Sequence, residues 1–136
     1  MKNNSFTVAV LGAGNIGSAV IERLLKLDNE VINLNLSKVL VSDLSKDRGL
    51  DAGLFTDDFN EILNDEKIEL VIEVLGGVEP GKDYIKALLE NGKSVITANK
   101  DIIADCGSEL IHIAQENNVC LYFEAAVAAG IPVLKP

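Results

Sequence analysis

Gly12-Ala13-Gly14-Asn15-Ile16-Gly17 sets three glycines at the spacing G-x-G-x-x-G, directly after an aliphatic run and directly before helical spacing. In that setting each glycine has its own task. Gly12 permits a tight turn, Gly14 lets the backbone approach a pyrophosphate, and Gly17 allows a helix to pack close on a strand. The N–H groups at the helix start and its positive dipole end add the attraction for phosphate. A glycine-rich turn with no ligand is the competing reading, and the strand-turn-helix setting weighs against it. Further on, Asp43 could accept hydrogen bonds from the ribose hydroxyls of an adenosine, which favours NAD. Its distance from the glycines exceeds the usual offset of about 20 residues, and an irregular connection over 28–36 accounts for the excess. Lys46 and Arg48 could instead neutralise a 2′-phosphate. They stand evenly between that role and a solvated charged loop.

Thr97-Ala98-Asn99-Lys100 puts a lysine right after a buried run. Its ammonium could bind a carboxylate or, with its pKa lowered by burial, move a proton. On position alone it reads more readily as a surface lysine. Glu124 could give oxygen to a hard cation together with carbonyls of the turn that follows, although alone it reads as a helix-start acid. Glu73 reads as a solvated or paired strand-end acid, and His112 as a helix residue near the surface. Cys106 and Cys120 show no metal or redox spacing and read as free, buried thiols in a reducing compartment.

These groups need elements to bring them together. Hydrophobic spacing predicts a strand over 6–11 and a helix over 15–27, with Ile16, Ala19, Val20, Arg23, Leu24 and Leu27 on one broad face. A second strand is expected over 38–43, then a short helix over 57–64 capped by Thr56 or Asp57. A third strand over 69–75 ends at Gly76-Gly77. A helix over 80–90 has Pro80 in its first turn and stops at Asn91-Gly92. A strand over 94–98, a helix over 108–116 and a strand over 119–123 complete the series. The alternation predicts an α/β fold: a Rossmann-type, doubly wound parallel sheet in three αβα layers with right-handed crossovers. Ligands of such sheets lie beyond the carboxyl ends of the strands. Gly12, Asp43, Gly76-Gly77, Asn99-Lys100 and Glu124 each follow a different strand, so five segments converge on one edge.

The 136 residues are the size of one ordinary domain, and the 48% hydrophobic content with only 4% aromatics calls for an aliphatic core. The formal net charge of −9 opposes nonspecific binding to nucleic acid or anionic lipid. No nucleic-acid or membrane partner is therefore expected, and an anionic ligand must be held by local devices. No apolar run reaches the roughly 18 residues of a membrane span, and the first residues lack the apolar core of a secretion signal. A cytoplasmic location is expected. The last clause, 124–136, is rich in small residues with Pro132 among them, and looks built to pack against something further on. Residues 1–136 thus read as the cofactor half of a two-part dehydrogenase.

Three segments are far more specific than the glycine turn: Val71-Ile-Glu-Val-Leu-Gly-Gly-Val-Glu-Pro80, Ser94-Val-Ile-Thr-Ala-Asn-Lys100 and Tyr122-Phe-Glu-Ala-Ala-Val-Ala-Ala-Gly-Ile-Pro-Val-Leu134. In this order they resemble the N-terminal part of homoserine dehydrogenase over nearly the whole chain. The resemblance implies reversible oxidation of L-homoserine to L-aspartate 4-semialdehyde with NAD or NADP, on the way to threonine, methionine and isoleucine. It implies that Lys100 transfers the proton at the substrate oxygen, and that Leu75, Gly76, Gly77, Thr97 and Asn99 lie beside the dinucleotide with the glycine turn. It further implies a monovalent-cation site, usually sodium, at Glu124, Val127, Ala129 and Ile131, largely through carbonyls. Gly130 would flank the nicotinamide.

Two departures stand out. Where many members carry an Arg for the NADP phosphate, this chain has Ser42 followed by Asp43, which leans toward NAD or weak discrimination. The family's substrate-binding and dimerising region has no counterpart in the 136 residues. The chain alone is therefore expected to bind dinucleotide weakly and to turn over homoserine negligibly, and the full-length parent is expected to be a homo-oligomer. The alternatives are the nucleotide-binding domain of another amino-acid or sugar dehydrogenase, or a nucleotide-sensing module, which has no need of a proton-transferring lysine.

Overall fold

A computed structural model describes residues 4–27 and 32–123. Its centre is β1 (Asn4–Leu11), where Val8, Ala9, Val10 and Leu11 are all fully buried. A run with no polar alternation can be satisfied only when both faces of its sheet are covered. Both are. Ala9 and Leu11 point into a core shared with Ile85 and Leu88 of α3 (Gly81–Glu90) and Ile102 and Leu110 of α4 (Lys100–Glu116). Val8 and Val10 point the other way, onto Ile21 and Leu24 of α1 (Asn15–Lys26). The expected three layers are present.

The other strands are β2 (Ile32–Leu40), β3 (Phe55–Thr56), β4 (Ile68–Glu73), β5 (Ser94–Thr97) and β6 (Leu121–Tyr122), and a short helix, α2 (Phe59–Leu63), precedes β4. All pairings are parallel and the order is β3-β2-β1-β4-β5-β6. The chain therefore reverses its direction of winding between β1 and β4, which opens a crevice at the carboxyl ends of those two strands.

Several boundaries differ from expectation. Most of the stretch taken as an irregular connection belongs to β2, which ends at Leu40 rather than at Asp43. Ile32-Asn33-Leu34-Asn35-Leu36 alternates apolar and polar residues, the period of a half-covered strand. It pairs with the exposed start of β1, where Asn35 Nδ2 donates to Ser5 Oγ (2.8 Å). The inward face of α1 is Gly17, Ile21 and Leu24, whereas Ile16 is 61% exposed. A Cβ on Gly17 would lie 2.2 Å from the Gly12 carbonyl oxygen, so the turn presses on this position and sets the rotation of the helix.

The cap of α2 is Asp58, whose carboxylate accepts from Asn60 N–H, while Thr56 Oγ1 accepts from Asp58 N–H (3.1 Å). α4 begins at Lys100, not at 108. Its backbone breaks at Cys106 (φ −144°, ψ 21°), and the anticipated helix is its second segment. The last strand is the two residues of β6. Cys106 is buried as expected, but Cys120 is exposed.

Candidate functional site

The turn after β1 is held open by geometry that only glycine meets. Gly12 has φ +104°, a region that L side chains rarely adopt, and a Cβ there would lie 3.1 Å from the Val74 carbonyl. Its N–H donates to the Leu40 carbonyl (2.9 Å), which ties the turn to the end of β2. Gly14 is different, since a Cβ there would meet nothing within 4 Å. Space is kept over Gly14, while contact is enforced at Gly12 and Gly17.

That space faces the start of α1. α2 and α4 are capped by the side chains of Asp58 and Asn99, but α1 has Gly14 at its N-cap, no side-chain cap and no acid in its first turn. The first intrahelical bond runs from Ser18 N–H to the Gly14 carbonyl (2.8 Å). The N–H groups of Asn15, Ile16 and Gly17 precede it and point outward with the positive end of the dipole, an arrangement suited to an anion.

A groove of about 740 Å³ runs along this edge, with Gly12, Ala13 and Gly14 on one side, Ser42, Asp43, Lys46 and Arg48 at one end, and Leu75 and Gly76 on the other side. Its volume lies within the range of small-molecule sites, roughly 300–1,000 Å³. Asp57, Pro80 and Tyr84 also line it. The sequence marks Asp57 and Pro80 only as helix-start residues and gives Tyr84 no signal; Asp57 reaches the groove from the turn before α2, and Pro80 and Tyr84 reach it from the start of α3. A larger cavity, about 880 Å³, opens at the opposite, amino-terminal edge of the strands and contains none of the converging residues.

Asp43 is exposed and takes both its hydrogen bonds on Oδ1, from Ser45 N–H (2.9 Å) and Ser45 Oγ (2.6 Å). The Ser45 hydroxyl and then its N–H hold the Asp43 carboxyl below the usual carboxylate range. Arg48 is turned back into its own loop. Nη1 donates to the carbonyls of Asp43 (2.9 Å) and Lys46 (3.1 Å), and the guanidinium lies 5.1 Å from the Phe55 ring centre. In this arrangement Arg48 braces the 42–50 loop.

At the end of β5 the four residues of the T-A-N-K segment divide their work. Thr97 is fully buried and Asn99 nearly so; neither side chain reaches the groove. Asn99 Oδ1 accepts from Asp101 N–H (3.1 Å) and Ile102 N–H (3.2 Å), capping α4, while its Nδ2 donates to the carbonyls of Leu75 (3.2 Å) and Gly77. Gly77, at φ +72°, closes the loop that forms the groove wall. Lys100 is exposed in the first turn of α4. A cation there opposes the helix dipole, so helix stability does not explain its choice.

Glu73 is buried, so the paired reading of this acid holds and the solvated one does not. His112 lies on the outer face of α4 with Nε2 3.2 Å from Glu116 Oε1. Among the described residues no three His, Cys, Asp or Glu side chains cluster as a metal site, and no helix is long and apolar enough to cross a membrane. Glu124, Val127, Ala129, Gly130 and Ile131, with the whole clause 124–136, lie outside the described residues.

A doubly wound sheet of order 3-2-1-4-5-6, with an uncapped helix and an open glycine turn at its switch point, defines a dinucleotide-binding domain. The family model described as the NAD-binding domain of homoserine dehydrogenase matches residues 12–124, and the chain belongs to that family. A homoserine dehydrogenase of Mycobacterium tuberculosis (strain H37Rv) is 43% identical over 135 residues, which span 95% of this chain and 30% of that protein. The solved structure of S. aureus homoserine dehydrogenase at pH 7.5 superposes with a TM-score of 0.83 at 40% identity, covering 95% of this chain and 34% of the other. That of a homoserine dehydrogenase from Thiobacillus denitrificans gives 0.86 at 33% identity, covering 96% and 32%. The chain thus spans about a third of the length of the proteins it matches.

Proposed function

We propose that the chain supplies the nicotinamide-dinucleotide site of a homoserine dehydrogenase, which interconverts L-homoserine and L-aspartate 4-semialdehyde. The observation that carries the reading is the convergence on one sheet edge of an uncapped glycine turn, a groove and an exposed lysine in the first turn of α4. The N–H groups of Gly14 to Gly17 hold the pyrophosphate. Asp43 accepts from the adenosine ribose through the oxygen that Ser45 leaves open, which favours NAD over NADP. Leu75, Gly76 and Gly77 form the wall toward the nicotinamide, and Thr97 and Asn99 support that wall from below. A bound nicotinamide supplies the hydride acceptor.

Lys100 moves the proton of the substrate hydroxyl, standing in solvent reach on a rigid helix start. Glu124, Val127, Ala129 and Ile131 provide oxygens for a monovalent cation such as sodium, and Gly130 borders the nicotinamide. Substrate positioning needs further walls, because loss of orientation alone removes many orders of magnitude of rate. Homoserine turnover is therefore assigned to a longer protein of the relatives' length, and dinucleotide binding to these 136 residues. Such a protein is a homo-oligomer working in the cytoplasm.

The test is to titrate NADH into the chain, and to assay Lys100→Ala in a protein of the relatives' full length. Binding without homoserine turnover is expected of the chain. Lys100→Ala should cut homoserine-dependent NAD reduction by about 10²–10⁴-fold with NADH affinity nearly unchanged. Preserved turnover with lost affinity would refute the proton-transfer role. A second reading, a nucleotide sensor without chemistry, predicts no effect of Lys100 on any turnover.

A further inference from the structure

Glu73 is fully buried at the carboxyl end of β4, beside Thr97 in the ladder to β5. A carboxylate in such a place must be matched by donors, and two are aimed at it. Leu75 N–H donates to Oε1 (2.7 Å) and the Thr97 hydroxyl donates to Oε2. The Thr97 oxygen in turn accepts from Asn99 N–H (3.0 Å), and Asn99 Nδ2 returns to the Leu75 carbonyl (3.2 Å). The bonds close a ring from Glu73 through Thr97 and Asn99 to Leu75 and back.

This ring spans two parts of the site that belong to different loops. One is the 75–77 loop, whose Leu75 and Gly76 line the groove. The other is the cap of α4, whose first residue is Lys100. Thr97 Oγ1 accepts a hydrogen bond from Asn99 N–H while its own hydroxyl donates to Glu73, so both Glu73 oxygens act as acceptors. An amide in place of the carboxyl keeps only one acceptor oxygen, so either the buried Thr97 hydroxyl proton or the Leu75 N–H is left without one. Gly81 packs against the carboxyl, since a Cβ there would lie 3.3 Å from Glu73 Oε1.

We propose that Glu73 is a positioning residue for the dinucleotide site, holding the Leu75–Gly77 wall and the Lys100-bearing start of α4 in one fixed relation through Thr97 and Asn99. This role rests on the groove taking a dinucleotide. Glu73 itself does not line the groove.

The test compares Glu73→Gln, Thr97→Val and Thr97→Ser in the 136-residue chain by NADH titration and amide exchange. Glu73→Gln and Thr97→Val should each weaken NADH about tenfold. Thr97→Ser keeps the hydroxyl and should stay within about twofold of the wild type. The double variant Glu73→Gln/Thr97→Val should be no weaker than the worse single one, because both break the same ring. The Leu75 and Asn99 amides should exchange faster in the Gln and Val variants and not in the Ser variant. Unchanged affinity in both Glu73→Gln and Thr97→Val overturns the proposal, as does a Thr97→Ser as damaged as Thr97→Val, which would mean packing alone. If Glu73→Gln does not fold, the Thr97 pair decides. A wild type that binds no NADH counts against the dinucleotide reading, and the exchange rates then decide the positioning role separately: unaltered protection in Thr97→Val overturns it.

Discussion

Ser42 stands where the chain leaves the sheet for the 42–50 loop and lines the groove beside Asp43. Arg48 is bound to carbonyls of its own loop, so in the proposed site an added 2′-phosphate would meet Asp43 with Lys46 as the cation left in the lining. Ser42→Arg should therefore raise the affinity for NADPH relative to NADH; paired titrations measure the ratio, and an unaltered ratio would show that the 2′ region is read elsewhere. Gly14 and Gly17 separate affinity from stability. Gly17→Ala drives a methyl into the Gly12 carbonyl and should cost about 1–3 kcal/mol in urea unfolding. Gly14→Ala should leave unfolding within about 0.5 kcal/mol while weakening NADH, because its new methyl stands only in the way of the ligand.

Glu73 gives a pH dependence of known sign. Burial pushes its carboxyl up, and the bonds from Thr97 and Leu75, with the Asn99 amide close by, pull back only part of the way. The folded chain thus holds this proton to higher pH than the unfolded chain does. Between the two pKa values the folded state binds more protons, so stability falls as pH rises. Relative to Glu73→Gln, the wild type should gain stability as pH falls from neutral through the raised pKa, and stop gaining below the unfolded value. Urea midpoints of the two proteins across that range would show it, and parallel curves would speak against a shifted Glu73.

Among the elements, α4 carries the most that sequence reading missed. Its second segment, 107–116, has clear helical spacing. Its first, 100–105, is short, charged and followed by the break at Cys106, so no period can build up in it. What makes it a helix is Asn99, through two capping bonds and two more to the loop at 75–77. Asn99→Ala should cost about 0.5–2 kcal/mol for the cap alone, with exchange at Asp101 and Ile102 rising more than at Leu110. The ion pairs Lys82–Asp105 (3.0 Å) and Lys86–Glu109 (3.2 Å) join α3 to α4 at the surface; such pairs add little, and the buried Ile85, Leu88 and Leu110 hold the two helices together. β2 was half legible. Its buried end stands out by hydrophobicity, but its outer half, with Asn at alternate positions, looks like a loop unless the alternation is counted. β3, at two residues, carries no periodic signal; it exists because the β2 edge offers partners. The glycine turn stood out because its spacing is itself the signal, although Gly12 answers to the distant Leu40 and Val74 carbonyls as well as to its own turn.

For the whole molecule, charge and site pull in opposite directions. The chain carries a formal net charge of −9, yet the proposed site takes a pyrophosphate on backbone N–H groups. Long-range repulsion of the ligand is screened by salt, whereas hydrogen bonds at contact are not. NADH affinity should therefore rise as ionic strength goes from about 10 mM to about 150 mM. A fall over that range would mean that Lys46 and Arg48 pair directly with phosphate and outweigh the net field. The sheet order itself was legible only as a class. Alternating strands and helices predict a doubly wound sheet, but which strands lie at the edges follows from the crossovers, and the short β3 and β6 give no warning of their place.

The three glycines would not decay together if a descendant of this chain abandoned its ligand. Gly12 and Gly17 press on neighbouring backbone, so selection for a folded protein alone keeps them. Gly14 faces only open space, and in the proposed site it is chiefly binding that preserves it. Drift in such a lineage should erode Gly14 first, leaving a motif with intact outer glycines as the mark of a domain that has outlived its cofactor.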